Sequence, residues 1–189
     1  MIYNFMHKLL NKYYCFIEKY QSELVNNLPK NSTIIYRNYQ KPFDLSTIIK
    51  LKKICKKKNL NFILSNNIKL AIKLNLDGAY IPSFNKSLTH NCFQLKKKFK
   101  LIGSAHNLKE IRVKELQNVR CIFLSPLFKT SKYKNFLGVY RFLKLTKFTK
   151  KDIVSLGGIN KNNLKQLKLL SINNIASISM FQNLLHDDE

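Results

Sequence analysis

Two adjacent glycines in "DIVSLGGINKNNLKQLKLL" (152–170) are the first residues whose type and placement suggest chemistry, because this chain has only five glycines in 189 residues. Gly157 and Gly158 follow a short apolar run and precede a helix-like pattern. Without a Cβ, backbone N–H groups at such a junction can approach an anion closely, and the start of a helix favours phosphate. A tight left-handed turn asks for the same residue, and the pair by itself leaves both explanations open. Elsewhere, polar side chains recur where short apolar runs end. They are Glu18 and Lys19; Arg37, Asn38 and Tyr39; Ser65, Asn66 and Asn67; Ser83 and Asn85; Ser104 and His106; Ser125, Thr130, Ser131, Lys132 and Lys134; and Ser177 and Ser179. Glu18 is the only acid in that set. His7, His90 and His186 fall in helical patterns or the tail and carry no signal.

The elements that must position these residues read as alternating strands and helices. β-Branched and aromatic residues bounded by turn formers predict strands at 13–19, 32–38, 61–65, 78–82, 100–105, 120–126, 152–157 and 175–180. Apolar spacing close to 3.6 predicts helices over 44–58, 67–75, 86–98, 107–117, 136–147 and 161–170, the first capped by Asp44 or Ser46. Eight such units imply parallel strands with helical crossovers, hence an α/β fold closed as a compact (β/α)8 TIM barrel; fewer true strands would leave an open doubly wound sheet. The whole of 1–189 reads as one domain, with residues 1–12 as an N-terminal helical extension and 182–189 as a tail. The last helix is truncated, so the extension or a second copy in a homo-oligomer is expected to cover the gap. In a parallel barrel the loops after the strand C-termini form the functional face, and phosphate often sits in those after strands seven and eight. The glycine pair falls in the first of these two loops.

The formal charge of +24 suggests nucleic acid at first sight. Lysine outnumbers arginine by 30 to 4, however, and lysines are spread over nearly every predicted helix. Arginine makes the bidentate contacts that read phosphate and base edges, so solvated helix faces explain the charge better, and specific nucleic-acid binding is not expected. Cys15, Cys55, Cys92 and Cys121 form no CxxC pair and stand in apolar surroundings, which predicts buried reduced thiols. No apolar run approaches the length of a membrane span, and the start lacks a secretory layout; a cytoplasmic protein with no membrane contact is expected.

With the barrel in place, "VSLGGINKNNLKQLKLLSINNIASISMF" resembles the end of the thiamine-phosphate synthase/TenI family. "NFILSNNIKLAIKLNLDGAYIP", "IGSAHNLKE" and "FLSPLFKTSK" follow the family's order and spacing, so that the resemblance covers about residues 32 to 181. It implies a (β/α)8 barrel of thiamine biosynthesis that binds a thiazole phosphate or similar phosphorylated small molecule. Its thiazole-phosphate site would fall on Gly157, Gly158, Ile178 and Ser179, and its substrate loop on Thr130, Ser131 and Lys132. Arg37, Ser65 and Ser104 would lie on the pyrimidine side.

The departures from the family are equally specific. The synthases hold Mg²⁺ and a pyrimidine diphosphate with two aspartates, where this chain has Asn66 and Asn85. Neutral amides are poor ligands for that hard cation beside a diphosphate. The strand-two Gln-x-Arg-x-Lys pattern reads "IYRNY": Arg37 is kept, whereas Ile35 and Tyr39 replace the other two. The strand-six lysine falls near Tyr133, with Lys132 or Lys134 beside it. Asp77 and Asp152 precede their strands and belong to the opposite face. The pattern is closer to TenI, whose thiazole tautomerase branch uses a histidine after strand five, here His106. An imidazole suits proton transfer next to a carboxylate, although a loop histidine can equally serve as a structural hydrogen-bonding group. The resemblance thus implies a TenI-like protein that needs no cofactor; Mg²⁺ would enter only if synthase chemistry persists on a rearranged site. A non-catalytic barrel binding a phosphate ligand or a partner is the other expectation.

Overall fold

Alternation along the strands divides the interior into two cores. In the computed structural model, residues 12–30, 32–39, 44–130, 135–160, 163, 166–167 and 174–177 are described. The strands are β1 (Lys12–Ile17), β2 (Thr33–Tyr36), β3 (Asn61–Ser65), β4 (Gly78–Ile81), β5 (Lys100–Ala105), β6 (Cys121–Leu124), β7 (Asp152–Leu156) and β8 (Asn174–Ser177). All neighbours pair in parallel, and β8 pairs with β1 to close an eight-stranded barrel. Side chains alternate across a strand, so one set faces the barrel axis and the other faces the helices. The axial set is Tyr14, Phe16, Ile35, Ile63, Tyr80, Ile102, Cys121, Phe123, Val154 and Ala176. Its centre is aromatic: Phe123 meets Tyr14, Phe16 and Tyr80 edge-to-face, with centroids 4.9, 6.0 and 5.6 Å apart. These rings fill the barrel and form the floor of anything bound above.

The outer core lies between the sheet and α1 (Ser22–Asn27), α2 (Leu45–Lys57), α3 (Ile68–Lys73), α4 (Leu108–Leu116) and α5 (Gly138–Thr146). Asp44 caps α2 by accepting from Thr47 N at 3.0 Å, while Asn67 and Asn107 cap α3 and α4 in the same way. Three helices end on a left-handed asparagine: Asn59, Asn75 and Asn118. In each case the next N–H reaches back five residues, as in Leu60 N to Cys55 O at 2.9 Å, and the next side chain is buried. Asparagine therefore does the turning that glycine does in most chains.

The structure corrects three expectations. Segment 86–98 is not a helix; it contains one 3₁₀ turn at Thr89–Cys92. Ser87 and Thr89 bond each other and the local backbone, and the carbonyls of Pro82, Asn85 and Ser87 are captured by Lys114 and Gln117 from α4 and its C-terminal end. Cys92, in that loop, is exposed, whereas Cys15, Cys55 and Cys121 are buried. Helix α1 was not anticipated, because six residues are too few to show a helical period. The helix expected over 161–170, the extension 1–12 apart from the start of β1, and the tail 182–189 lie almost wholly outside the described residues. Among the described residues, no helix is long and apolar enough to cross a membrane.

Candidate functional site

The inward positions at the C-terminal strand ends enclose a cavity of about 780 Å³. Its floor includes Phe16 and Tyr80 of the axial aromatic layer. Of the residues selected from sequence, Arg37, Ser104, His106, Thr130, Gly157 and Gly158 line it, and so do Glu18, Lys19, Tyr39, Ser83, Ser125 and Ser177. Ser131, Lys132, Lys134, Ile178 and Ser179 lie outside the described residues. Asp77 accepts from Phe62 N at 2.7 Å, near the start of β3 and so at the opposite end of the barrel from the cavity.

On the β6–β8 side, the wall is backbone. Gly157 and Gly158 have φ of +94° and +68°. A Cβ on Gly157 would stand 2.8 Å from Pro126 Cβ; one on Gly158 would stand 2.5 Å from Lys129 O and 2.6 Å from Phe128 O. Asparagine, which serves at the helix ends, cannot serve here. Leu127 N donates to Leu156 O at 2.9 Å and Phe128 N to Gly157 O at 3.1 Å, so the β6 and β7 loops are joined. Asn163 Nδ2 bonds Gly158 O at 2.7 Å from the other side. The pair therefore makes a left-handed turn, and that turn is a wall of the cavity packed against the backbone of Phe128 and Lys129.

The β2–β4 side is built from rings and amides. Tyr39 packs edge-to-face on Phe84 at 5.6 Å, and its hydroxyl lies 3.2 Å from Ser65 Oγ. Burial pushes the Tyr39 phenol up, against the opposing effect of the Ser65 bond. Burial likewise pushes Tyr80 up despite its bond to Ser104. Both phenols stay neutral near pH 7. Arg37 pairs with Glu18 at 2.7 Å and lies over the Phe16 ring at 5.6 Å. Asn66 and Asn85 do not line the cavity; Asn85 Nδ2 donates to Asn66 Oδ1 at 2.7 Å. Ser87 N donates to Asn85 Oδ1 at 2.9 Å, which sets the orientation of that amide.

These residues do not fit the Mg²⁺ ion that the family resemblance implies. Both asparagine oxygens already accept hydrogen bonds, and Glu18, the one carboxylate among the described residues lining the cavity, is engaged by Arg37. Among the described residues, no three His, Cys, Asp or Glu side chains come together to hold a metal.

His106, after β5, stands between the two sides and lines the cavity. Glu110, one turn into α4, accepts from His106 N and lies 2.8 Å from His106 Nδ1. Burial pushes the Glu110 carboxyl up, but the bonds from the His106 ring and amide, the charge of His106 and the Asn107 amide outweigh it and hold Glu110 below its ordinary range. Sequence reasoning missed Glu110. The signal was present, since "HNLKE" places the acid four residues after the histidine. Also missed were Lys114 and Gln117, whose polar ends are buried against the β4 loop.

A closed parallel barrel with a cavity of this size at its strand C-termini defines a (β/α)8 protein, with the cavity at the end where such barrels carry their sites. Residues 18–181 match the family model described as thiamine monophosphate synthase. The chain belongs to that family. It is 29% identical over 182 residues to a thiamine-phosphate synthase of Prochlorococcus marinus, covering 87% of this chain and 50% of that protein. The corresponding protein of Pelagibacter ubique is 33% identical over 133 residues, 67% of this chain and 62% of that one. The chain spans half or less of the Prochlorococcus relatives it matches. Among solved structures, thiamine phosphate pyrophosphorylase from Pyrococcus furiosus superposes with a TM-score of 0.70 at 15% identity, covering 97% of this chain and 98% of that one. The thiamine phosphate pyrophosphorylase of Bacteroides thetaiotaomicron superposes at 0.60 and 14%, covering 92% and 85%. At such identities the superpositions speak for the fold.

Proposed function

We propose that this barrel serves thiamine biosynthesis by binding a thiazole phosphate or a similar phosphate monoester, with its phosphate at the Gly157–Gly158 turn and without a Mg²⁺-diphosphate half-site. The observation that carries the reading is the Asn66–Asn85 hydrogen bond. Where relatives named as synthases are expected to present two carboxylates, this chain presents two neutral amides joined to each other. A diphosphate brought there would find no pair of carboxylates to hold the Mg²⁺ ion that offsets its charge. The backbone wall on the other side has no such defect. His106 at the cavity favours a TenI-type proton transfer over a purely binding role.

Calorimetric titration with the thiazole phosphate tests this reading. Binding should be unchanged by EDTA and weakened in Gly158→Ala. If the protein converts thiazole phosphate and pyrimidine diphosphate to thiamine phosphate, and EDTA abolishes the reaction, it is a synthase with a rearranged metal site. Binding without turnover in both the native protein and His106→Ala would make it a non-catalytic barrel.

A further inference from the structure

We infer that Glu110 is a positioning residue that fixes the tautomer of His106 and presents its Nε2 lone pair to the cavity. The inference rests on the reading of that cavity as the ligand site, and goes beyond it by assigning the proton-accepting atom and the residue that selects it. Asn107 accepts from Glu110 N at 3.0 Å, the first half of a capping box. In the usual box the glutamate returns to the N–H of the cap residue itself. Here Oε2 lies 2.8 Å from both the backbone N and the ring Nδ1 of His106, while Oε1 takes the Asn107 amide at 3.1 Å. Both carboxylate oxygens are therefore held. An ionised carboxylate only accepts, so Nδ1 must carry the proton and Nε2 of the neutral ring must be bare. Glu110 is kept ionised in part by the helix N-terminus, which favours a negative charge in its first turn. A ring held in this way takes a proton from the ligand on Nε2, and the imidazolium formed keeps its Nδ1–H on Glu110 until the proton is returned.

Nitrogen-15 NMR of the histidine rings tests this directly in the ligand-free protein. His106 should show a protonated Nδ1 and a bare Nε2 at a pH where the ring is neutral. Glu110→Gln should lose the single tautomer and populate Nε2–H, with the buried His90 as an unchanged internal reference. An Nε2–H tautomer in the native protein, or a ring spectrum unchanged by Glu110→Gln, would overturn the inference. If Glu110→Gln does not fold, the native spectrum decides alone. Protection of His106 from acylation by diethylpyrocarbonate upon adding thiazole phosphate reads the ligand site separately, so either idea can fail without the other.

Discussion

The two sides of the cavity solve the same problem, closing a loop over the end of a parallel strand, with opposite materials. At β6–β8 the loops meet backbone to backbone, so closely that Gly157 and Gly158 have no room for a Cβ. At β2–β4 they meet through side chains, the Tyr39–Phe84 rings and the Asn66–Asn85 amides. Backbone walls carry N–H groups in fixed places and tolerate almost no substitution. Side-chain walls can exchange one chemistry for another while the fold persists. The two sides of one barrel therefore differ in how much change of residue type the fold allows.

The largest expected effect breaks the backbone side. Gly158→Ala forces a side chain into two carbonyls at a positive φ and should destabilise by about 3 kcal/mol in urea unfolding, with phosphate affinity falling in the same variant. A loss below about 1 kcal/mol would show that the two loops are not tightly joined.

Next comes the hidden support of the side-chain wall. Lys114 is fully buried, with Nζ donating to Pro82 O, Asn85 O and Gln117 Oε1 at 2.9, 2.9 and 2.7 Å. Lys114→Met should cost about 1.5 kcal/mol at pH 7 and speed amide exchange over residues 83–87. Burial pushes the amine down to about 8, with Glu110 opposing. Between pH 8 and the ordinary lysine range near 10.5, the unfolded chain therefore binds more protons than the folded one, and this group makes stability rise with pH there. Denaturation curves of the variant should lack that component; an identical pH slope in both proteins would count against a strained buried charge.

The amide pair gives a smaller and more diagnostic effect. Asn85→Ala should cost about 1 kcal/mol, from losing the part-buried bond to Asn66 and the exposed bond accepted from Ser87 N. Combining Asn66→Asp with Asn85→Asp introduces two carboxylates, and the melting temperature should then depend on Mg²⁺ where the native protein's does not. Mg²⁺ stabilisation of the native chain would blur the contrast between the two sides. Smallest of all, Tyr39→Phe loses only the Ser65 bond, about 0.5 kcal/mol, and should leave phosphate affinity intact.

All eight strands were legible because burial on alternate faces leaves a pattern that local propensity reinforces, and 61–65 and 100–105 coincide with β3 and β5 to the residue. The segment 86–98 was misread for the opposite reason: its conformation is set by Lys114 and Gln117, which lie nearly thirty residues away in sequence, and no window across it contains them.

Sequence by itself determined the closed α/β architecture, many of the polar strand-end residues that line the cavity, and the neutral amides at Asn66 and Asn85. Those are matters of residue type and period, which a chain carries locally. Tertiary structure decided that the two amides bond each other, that Gly157 and Gly158 are required by the neighbouring loop as well as by their turn, and that Glu110 holds His106. Each depends on a distance of about 3 Å between atoms from separate loops or across a helix start, and only the closed barrel sets such distances.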